Sequence, residues 1–567
     1  MSLLTDSDVV TLVSTLRERG SELDDIEAKS ARGGTPSTLW TTISAFANRP
    51  GGGVILFGLD PVGYRCTGIH DLDQLQSDLS NIALHQMSPP VSLGMHAAVI
   101  DGQTVLGVEV GEVHPAYGPC YYVHQGLYRG AYIRTGDGER PMTEYEVSLK
   151  LSSREQPMAD REIMTEATEA DLDEQQVETL LARVRSRRPA LATAYRTRRS
   201  LLEALGVLSE DGHPSLSGLL VLGQFPQRFL PNCVITLSAY SGNRPDPEHR
   251  LPFDLKCEGP LQTMLDTALT GLQRVLGRNV EISGLAHRET PEYPIAALRE
   301  LLANAVVHRD YSVYGVRSQI QVRLYSDHLV IENPGGLYGT VSLDRLGDPG
   351  VQAARNALLA NLAEDLGLME QRGTGVRVVL GEMRRNNLFP PRWYDGVSFF
   401  RVSLSGEQVY GPRTTRWLQT AVPTPLSESQ RYGLSFLVRE GSMPGTLYRR
   451  ICGLESGTSR DELQELLEAG LITKESTRLG TVYRLTADAR ASYEGIDSQS
   501  RPSGLAEELL LLLRGAPRAV SAHDLAEMTR RSRPAVLRAL QTLLDAGYVV
   551  ATTESTRNPR RKYRANA

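Results

Sequence analysis

Two oxygen-bearing side chains one helical turn apart are the first residues in this sequence whose types and spacing suit chemistry. Glu300 and Asn304 occupy positions i and i+4 of a predicted helix, so a carboxylate and a carboxamide project from the same face. A magnesium nucleotide needs an oxygen ligand that leaves several metal waters in place, and its hydrolysis needs a carboxylate that polarises water towards the γ-phosphate. The pair fits these two roles.

Two glycine-containing turns follow this helix along the chain. The stretch 328–332 reads as a buried strand that ends on Glu332, a hydrogen-bond acceptor, and runs into the sharp turn 333–336, where a backbone can approach a ligand closely. The second turn, 373–375, precedes a helix-like run, so its free amides would lie at a helix N-terminus and face phosphate. Together the three elements predict a nucleotide pocket.

The order of these motifs resembles the GHKL superfamily of ATPases, the fold of the histidine-kinase, gyrase-type and Hsp90-type nucleotide domains. The resemblance covers residues 290–405 and points to a divergent branch that carries His-Arg-Asp-Tyr at 308–311. It implies an α/β sandwich that binds ATP and Mg²⁺, with Asn304 as the magnesium ligand and Glu300 as the water-activating base. The other nucleotide-binding residues that it implies, with the glycines as lid hinges, are Glu332, Asn333, Gly335, Gly336, Gly373, Thr374 and Gly375.

The turn after the strand departs from the pattern of this superfamily. The usual D-x-G-x-G appears at 332–336 as Glu-Asn-Pro-Gly-Gly, with Glu for Asp and Pro at the first glycine. The adenine is therefore reached by either Glu332 or Asn333. After the helix, His308 and Asp310 are predicted to cap it and to hydrogen-bond its last carbonyls, and an alternative reading gives Arg309 a contact with phosphate.

Length and composition are those of an ordinary globular protein with several domains. The chain has 567 residues, 41% hydrophobic and 23% charged, and a net charge of −6, so we expect three to five domains. The five cysteines are scattered without ligand spacing, which supports neither a disulfide framework nor a zinc site. The N-terminus lacks a basic leader and no run of 18 apolar residues occurs, so we expect a cytoplasmic protein.

The N-terminal region carries a second set of motifs. They are E-x-x-x-x-E-x-K at 22–29, A-F-A-N at 45–48, G-G-V-I-L-F-G-L-D at 52–60 and Y-I-R-x-G at 132–136. The set resembles the Schlafen/AlbA-like domain over most of residues 15–150. The resemblance implies an α/β module that contacts nucleic acid, DNA or RNA, and some animal members of the family cut RNA with two glutamates and one aspartate around a divalent metal.

The three acids of that nuclease pattern map to Glu22, Glu27 and Asp60. A divalent metal held by carboxylates can activate water against a phosphodiester, which makes a nuclease one prediction for this region. The alternative is a binding module in which Glu22 and Glu27 pair with basic neighbours. The residues predicted to contact phosphates in such a module are Lys29, Arg32, Arg129 and Arg134.

The C-terminal third contains an internal repeat. The sequence Leu-Leu-Glu-Ala-Gly at 466–470 recurs as Leu-Leu-Asp-Ala-Gly at 543–547, and each copy fits a winged helix-turn-helix. The first copy has an acidic third helix, but residues 501–567 hold 12 Lys and Arg against 6 Asp and Glu, a surplus of 6 that predicts DNA binding. The residues predicted to contact DNA there are Arg531, Arg533, Arg538, Arg560, Arg561 and Lys562.

The predicted fold class is therefore multidomain α/β and α+β. We expect a Schlafen/AlbA-like module at 1–150, a solvated helical connector at 151–200, a middle segment with the GHKL-type domain at 201–410, and winged helices at 411–492 and 493–567. In the middle segment, 219–223 and 233–237 read as strands. Proteins with this domain order are sometimes labelled helicase-like, but the sequence has no G-x-x-x-x-G-K-[ST] phosphate loop to drive a motor.

Three functional hypotheses follow from these motifs. The leading one is an ATP-binding and DNA-binding transcriptional regulator, acting as a homodimer with weak or no ATP turnover. The second is an ATP-gated, metal-dependent nuclease of antiviral defence that uses the N-terminal acids. The third is a scaffold with a degenerate pocket, against which the presence of Glu300, Asn304 and both glycine turns argues.

Overall fold

A computed structural model describes most of the chain. The described residues are 4–566 except 23, 137, 241, 245–252, 284–285, 370–372, 421, 423–424, 478–479, 500–504, 517–518, 530, 546–547 and 552–561. Two compact units divide the chain: Met1–Glu382 with Pro391–Gly406, and Met383–Pro390 with Glu407–Ala567. Within the described residues, no helix combines the length and the apolar character needed to cross a membrane.

The first unit begins with an α/β module. Its elements are α1 (Asp6–Arg19), β1 (Ile26–Lys29), α2 (Leu39–Ala47), β2 (Gly53–Phe57), α3 (Leu72–Asn81), β3 (Met87–Ser88), β4 (Leu93–Ile100), β5 (Gln103–Val110), β6 (Tyr121–Tyr122), α4 (Leu127–Gly130), β7 (Tyr132–Thr135), β8 (Gly138–Pro141) and α5 (Glu144–Ser152). The main sheet has the order β1-β2-β5-β4, in which only β1 and β2 are parallel.

The central strand β2 is buried along its whole length because helices cover both faces of the sheet. Val54 and Leu56 belong to the apolar cluster formed with α1, and Ile55 and Phe57 belong to the cluster formed with α2. This alternation has the period of two that a strand imposes on its side chains. The sequence of β2 is therefore apolar throughout because its alternate side chains pack into two separate hydrophobic cores.

Asn48, the last residue of the A-F-A-N motif, joins α2 to the strands beside it. Its Nδ2 donates to the carbonyls of Cys120 at 2.7 Å and Tyr132 at 3.0 Å, and its Oδ1 accepts from the amide of Cys120 at 2.7 Å. The side chain is buried, so these bonds replace the water that the same backbone groups would otherwise bind. Asn48 thereby holds β6 and β7 against the helix.

A helical connector follows, made of α6 (Glu174–Arg187), α7 (Pro189–Ala194), α8 (Arg198–Ala204) and α9 (Leu216–Leu222). The prediction of a strand at 219–223 is wrong, because this stretch lies mostly within α9, which Ser215 caps by accepting a hydrogen bond from Gly218 at 3.0 Å. Every residue of α9 is buried, and a short run that is apolar on all sides has no periodicity that separates a helix from a strand.

The remainder of the first unit is a sheet with helices on one face. Its elements are β9 (Ile235–Ala239), β10 (Phe253–Cys257), α10 (Leu261–Val275), β11 (Arg278–Ser283), β12 (Ala286–Pro291), α11 (Ile295–Val307), β13 (Ile320–Leu324), β14 (His328–Pro334), α12 (Ala357–Asp365), α13 (Gly375–Arg385), β15 (Arg392–Asp395) and β16 (Phe399–Ser405). The six-stranded sheet has the order β10-β9-β13-β14-β16-β15, and α10 and α11 pack against it.

The second unit repeats one architecture twice. Its elements are α14 (Pro412–Thr420), α15 (Glu428–Glu440), β17 (Met443–Pro444), α16 (Gly445–Cys452), α17 (Ser456–Glu468), β18 (Ile472–Thr477), β19 (Gly480–Leu485), α18 (Ala487–Gln499), α19 (Leu505–Gly515), β20 (Val520–Ser521), α20 (Ala522–Thr529), α21 (Arg533–Asp545), β21 (Val549–Ala551) and β22 (Lys562–Ala565). The two small sheets have equivalent orders, β17-β19-β18 and β20-β22-β21. Each pairs with three helices as in a winged helix-turn-helix.

We expect Asn48→Ala to destabilise the N-terminal module by about 2–4 kcal/mol, because the substitution removes the side-chain partner of the Cys120 amide and of the Tyr132 carbonyl and leaves the Cys120 carbonyl with Ser44 alone. Urea denaturation followed by circular dichroism would measure the loss. The matched control is Asn81→Ala at the exposed end of α3, which should change stability by less than about 0.5 kcal/mol. Equal effects of the two substitutions would contradict the role assigned to Asn48.

Candidate functional site

A cavity of about 370 Å³ lies between α11, the sheet and the segment that follows β14. Helix α11 contributes Glu300, Asn304 and His308, which are spaced four residues apart and so share one face. Asn304 Nδ2 donates to Glu300 Oε1 at 3.1 Å. The structure therefore places the carboxylate and the carboxamide side by side on the cavity wall, as their spacing predicts.

The second glycine turn closes against this pair. Gly373 and Gly375 both line the cavity, and α13 begins at Gly375, so the free amides of a helix N-terminus are placed there. A Cβ atom at position 375 would overlap the Glu300 carboxylate and would lie 3.3 Å from Asn304 Nδ2. Any residue larger than glycine at this position would force the Glu300 carboxylate to move away from the helix N-terminus.

The remaining residue of the predicted turn, Thr374, has a different placement. Thr374 is not among the residues that line the cavity, and its carbonyl accepts from the amide of Val378 at 2.9 Å, as in the first turn of a helix. Arg372, which precedes the turn, lies outside the described residues. Gly373 has a φ of +62°, a left-handed conformation that favours glycine.

The strand β14 decides between the two residues expected to reach the base. Glu332 pairs with Arg323 at 2.8 Å and Arg401 at 2.6 Å and does not line the cavity. Asn333 lines the cavity and is buried. The placement of Glu332 at the base is therefore corrected in favour of Asn333, because successive side chains of a strand point to opposite faces.

The wall around Asn333 is apolar and aromatic. Phe400 lies directly opposite Asn333 across the β14–β16 pairing, and its ring is 6.0 Å from that of Trp393 at an angle of 25°. Ile331 and Val402 are paired in the same way and also line the cavity. One region of the cavity thus offers an aromatic surface and a carboxamide, which suit the face and the edge of a nucleobase.

The two glycines of the first turn have different roles. Gly336 lines the cavity, whereas Gly335 has a φ of +85° and donates its amide to the carbonyl of Ser398 at 2.8 Å. A Cβ atom at Gly335 would lie 2.9 Å from the Cβ of Asp310. Gly335 therefore lets the chain turn against the end of α11, and Gly336 reaches the cavity.

The residues after α11 are arranged differently from the prediction. Arg309 is buried and donates to the carbonyls of Gly315 at 3.0 Å and Ser318 at 2.6 Å, so it does not line the cavity. The carboxylate of Asp310 accepts from Ser312 rather than capping the helix. Arg309 and Asp310 thus organise the loop that follows the helix.

The cap on α11 comes from Tyr311 and Asn356, which the sequence reading missed. The hydroxyl of Tyr311 donates to the carbonyl of Val306 at 3.0 Å, and Asn356 Nδ2 donates to those of Val307 at 2.8 Å and Arg309 at 2.7 Å. His308 contributes only its backbone amide to the helix. Burial lowers the pKa of the His308 imidazole to about 4, so it is neutral at pH 7 where it borders the cavity.

The donor set of the cavity fits magnesium carried on a nucleotide. The described residues hold no group of three or more His, Cys, Asp or Glu side chains that would bind a metal on their own. Magnesium, however, keeps several waters and usually takes only one or two protein ligands beside the phosphate oxygens. The carboxamide oxygen of Asn304, next to the Glu300 carboxylate, has the chemistry that such a ligand requires.

The N-terminal acids form ion pairs rather than the predicted metal cluster. The buried guanidinium of Arg134 donates to Glu22 at 2.9 Å and also to Glu27, which pairs with Lys29 at 2.8 Å. Asp60 lies in a separate turn, where its Oδ1 accepts from the amide of Val62 at 3.1 Å. The predicted metal site of Glu22, Glu27 and Asp60 is therefore corrected, because Arg134 neutralises two of the acids.

These ion pairs also change the predicted nucleic-acid contacts. The side chain of Arg134 is 1% exposed and belongs to the interior of the module, whereas that of Lys29 is 20% exposed and is engaged by Glu27. Arg32 and Arg129 are exposed, as a phosphate contact requires. Arg134 is thus corrected from a binding residue to a structural one.

The second winged helix keeps its basic residues on the outside. Arg533 and Arg538 are exposed on α21, whose opposite face buries Val536 and Leu540. Arg531 precedes the helix and is exposed, and Lys562 is exposed at the start of β22. Arg560 and Arg561, predicted on the wing, lie outside the described residues, as does Arg530.

We expect Arg134→Met to destabilise the module by about 3–5 kcal/mol at pH 7, because the half-buried Glu22 loses its counter-charge and the half-buried Glu27 keeps only Lys29. Burial acts to raise the pKa of Glu27, but Lys29 and Arg134 hold it below its ordinary value. A group with a lowered pKa stabilises the fold above its unfolded pKa and loses that effect as the pH falls. The defect should therefore shrink below about pH 4.

Urea denaturation at several pH values would test this prediction, with the exposed Arg129→Met as the matched control. A pH-independent defect, or an equal defect in the control, would contradict the ion-pair account.

Comparisons with known proteins cover three parts of the chain. Residues 22–143 match the family described as Schlafen, AlbA_2, and residues 317–404 match the one described as putative ATP-dependent DNA helicase recG C-terminal. Residues 506–552 match the IclR helix-turn-helix domain. No curated protein matches the chain.

Two solved structures are similar to it. The DIP2311 protein from Corynebacterium diphtheriae is 21% identical, with 87% of this chain and 99% of that chain covered and a TM-score of 0.40. The N-terminal domain of a putative ATP-dependent DNA helicase RecG-related protein from Nitrosomonas europaea is 30% identical, with 24% and 94% covered and a TM-score of 0.21. The family matches thus show three regions similar to known domains, namely a Schlafen/AlbA-like region, an ATPase-like region described as recG C-terminal, and an IclR-type helix-turn-helix region at the C-terminus.

Proposed function

We propose that the protein is an ATP-binding and DNA-binding transcriptional regulator, in which Mg²⁺-ATP occupies the cavity beside α11. The observation that carries the proposal is the composition of the cavity wall. The Glu300–Asn304 pair and the N-terminus of α13 suit phosphates and magnesium, and the aromatic surface with Asn333 suits a base. Nucleic-acid-binding types of domain occur on both sides of it in the sequence.

The residues of the cavity have separate roles in this proposal. Asn304 would hold the magnesium ion through its carboxamide oxygen, and Glu300 would orient a water molecule towards the γ-phosphate. Glu300 accepts a hydrogen bond from Asn304, so one of its carboxylate oxygens is already engaged beside the proposed magnesium ligand. We propose that ATP is turned over slowly or not at all, so that the nucleotide acts mainly as a signal.

DNA binding is assigned to the second winged helix and to the N-terminal module. Exposed Arg533 and Arg538 on α21 are placed to contact a DNA backbone, and exposed Arg32 and Arg129 are the corresponding residues of the N-terminal module, for DNA or RNA. We propose a cytoplasmic homodimer, because a dimer presents two such helices to two half-sites. The nuclease alternative is not proposed, since Arg134 occupies Glu22 and Glu27.

Asn304→Ala should weaken the binding of Mg²⁺-ATP by about tenfold or more, which corresponds to roughly 1.4 kcal/mol. Binding without magnesium should change less, because the lost contact is to the metal. Glu300→Gln should keep the affinity and abolish any phosphate release. Titration with a fluorescent ATP analogue and a phosphate assay would measure both effects.

The control for these two variants is Gln321→Ala, at an exposed position of β13 that does not line the cavity. It should bind Mg²⁺-ATP as the unmodified protein does. If Asn304→Ala bound Mg²⁺-ATP with unchanged affinity, the magnesium-ligand role would be excluded. If the unmodified protein bound no nucleotide, the proposed function itself would fail.

Asn333→Asp should raise the preference for ATP over GTP by about tenfold. A carboxamide can present a donor or an acceptor to a base edge, whereas a carboxylate is only an acceptor and would repel the O6 of guanine. The matched control is the neighbouring Glu332→Gln, which alters ion pairs on the opposite face of the sheet. Competition of ATP and GTP for a labelled nucleotide would measure the ratio, and an equal shift in both variants would refute the assignment of Asn333.

A further inference from the structure

The segment that leaves the N-terminal module is bonded to the wall of the cavity. We call residues 154–161, between α5 and the connector, the exit segment. Gln156 Nε2 donates to the carbonyls of Ala354 at 3.1 Å and Arg355 at 2.9 Å. The hydroxyl of Tyr338 donates to the carbonyl of Glu155 at 3.2 Å. Because Tyr338 and Ala354 both line the cavity, the exit segment holds part of its wall from the far side.

The exit segment also caps the helix that follows this wall. Asp160 Oδ2 accepts from the amides of Leu358 at 2.7 Å and Leu359 at 3.2 Å, at the N-terminus of α12. The residue in the cap position of α12, Asn356, makes no side-chain cap bond of its own, because its carboxamide is used by α11. A buried carboxylate from the exit segment thus takes the place of the usual cap.

The connector holds the other end of α12. Arg183 donates to the carbonyl of Leu366, Arg187 to that of Glu364 at 3.1 Å, and Arg188 pairs with Asp365 at 3.1 Å. Three exposed arginines of the predicted solvated connector thus also make contacts with α12. With a carboxylate at the N-terminus and guanidinium groups at the C-terminus, both ends complement the helix dipole.

Arg355 connects the two sides of this wall. Its guanidinium is buried, donates to the carbonyl of Gly336 at 3.1 Å and lies 5.4 Å from the ring of Tyr338. Its own carbonyl accepts from Gln156. The side chain of Arg355 therefore contacts the wall residues Gly336 and Tyr338, while its backbone and that of Ala354 are bonded to the exit segment.

On its other side, the exit segment continues directly from α5 of the N-terminal module. The ring of Tyr145 stacks on that of Tyr314 at 5.4 Å, next to the loop after α11. Glu146 pairs with Arg140 of β8 at 2.6 Å, which ties α5 to the two-stranded β7–β8 sheet of the module. The bonded groups thus run without a break from the cavity wall through α5 to β8.

We infer that Gln156 and Asp160 are positioning residues of the nucleotide site. We also infer that the exit segment couples nucleotide binding at this site to the conformation of the Schlafen/AlbA-like module. The inference rests on the proposed nucleotide binding. A nucleotide that shifts Tyr338 or Ala354 changes the hydrogen bonds that hold residues 155–160. The wall with bound nucleotide therefore favours a different position of α5 from the wall without it. By linkage, nucleic acid bound at the module changes nucleotide affinity by the same factor.

Hydrogen–deuterium exchange of the full chain, with and without Mg²⁺-ATP, tests the inference. The nucleotide should slow exchange in α11 and at the start of α13, and also in the exit segment and α5. In the double variant Gln156→Ala, Tyr338→Phe, measured at a Mg²⁺-ATP concentration that restores full occupancy, protection of α11 should return while protection of the exit segment stays about fivefold or more lower. Both substitutions remove only polar contacts, so the fold should be retained.

The matched control is Gln224→Ala. Its carboxamide also donates to two backbone carbonyls, of Ala170 at 3.2 Å and Leu172 at 3.1 Å, but neither residue lines the cavity. This variant should keep both kinds of protection. Asp160→Asn, which keeps one acceptor oxygen, should restore most of the nucleotide affinity that Asp160→Ala loses.

The outcomes separate the inference from the proposed function. Absence of protection throughout the unmodified chain would overturn both. Protection confined to α11 and α13, or an unchanged exit-segment response in the double variant, would overturn the inference alone and leave nucleotide binding intact. A fivefold or greater loss restricted to the exit segment supports it.

Discussion

The close approach of Gly375 to the Glu300–Asn304 pair is the contact on which the candidate site depends. It brings the N-terminus of one helix against the polar face of another, and a Cβ atom at position 375 would displace the Glu300 carboxylate. The remaining wall follows from this arrangement, because the sheet behind α11 then presents Ile331, Asn333, Phe400 and Val402 to the same space. A carboxylate, a carboxamide and free helix amides thus meet an aromatic surface within one cavity of about 370 Å³.

The parts of this arrangement that the sequence predicts are those set by local periodicity. The i, i+4 spacing of Glu300 and Asn304 places them together on any helix, and the glycine turns need no distant partner. The repeat of residues 466–470 at 543–547 likewise identifies two copies of one architecture from the order of the amino acids alone. These features are encoded within a few residues, so pattern alone is enough to find them.

The parts that the sequence does not predict depend on a one-residue register or on distant partners. Glu332 and Asn333 are neighbours on a strand, and only the packing of β14 decides which of them faces the cavity. Arg134 lies 112 residues from Glu22, so its neutralisation of the acids has no local signal. The same holds for Asp160, which caps a helix nearly 200 residues later. In each case a tertiary contact sets the role of individual residues, and the local sequence around them carries no signal of that contact.

The affinity of the full chain for duplex DNA at constant salt, with and without saturating Mg²⁺-ATP, tests the central claim most directly. The account predicts that the nucleotide changes this affinity by about fivefold or more, that the DNA remains intact, and that Asn304→Ala removes the change. An affinity that is the same with and without bound nucleotide, or cleavage of the DNA, would contradict it.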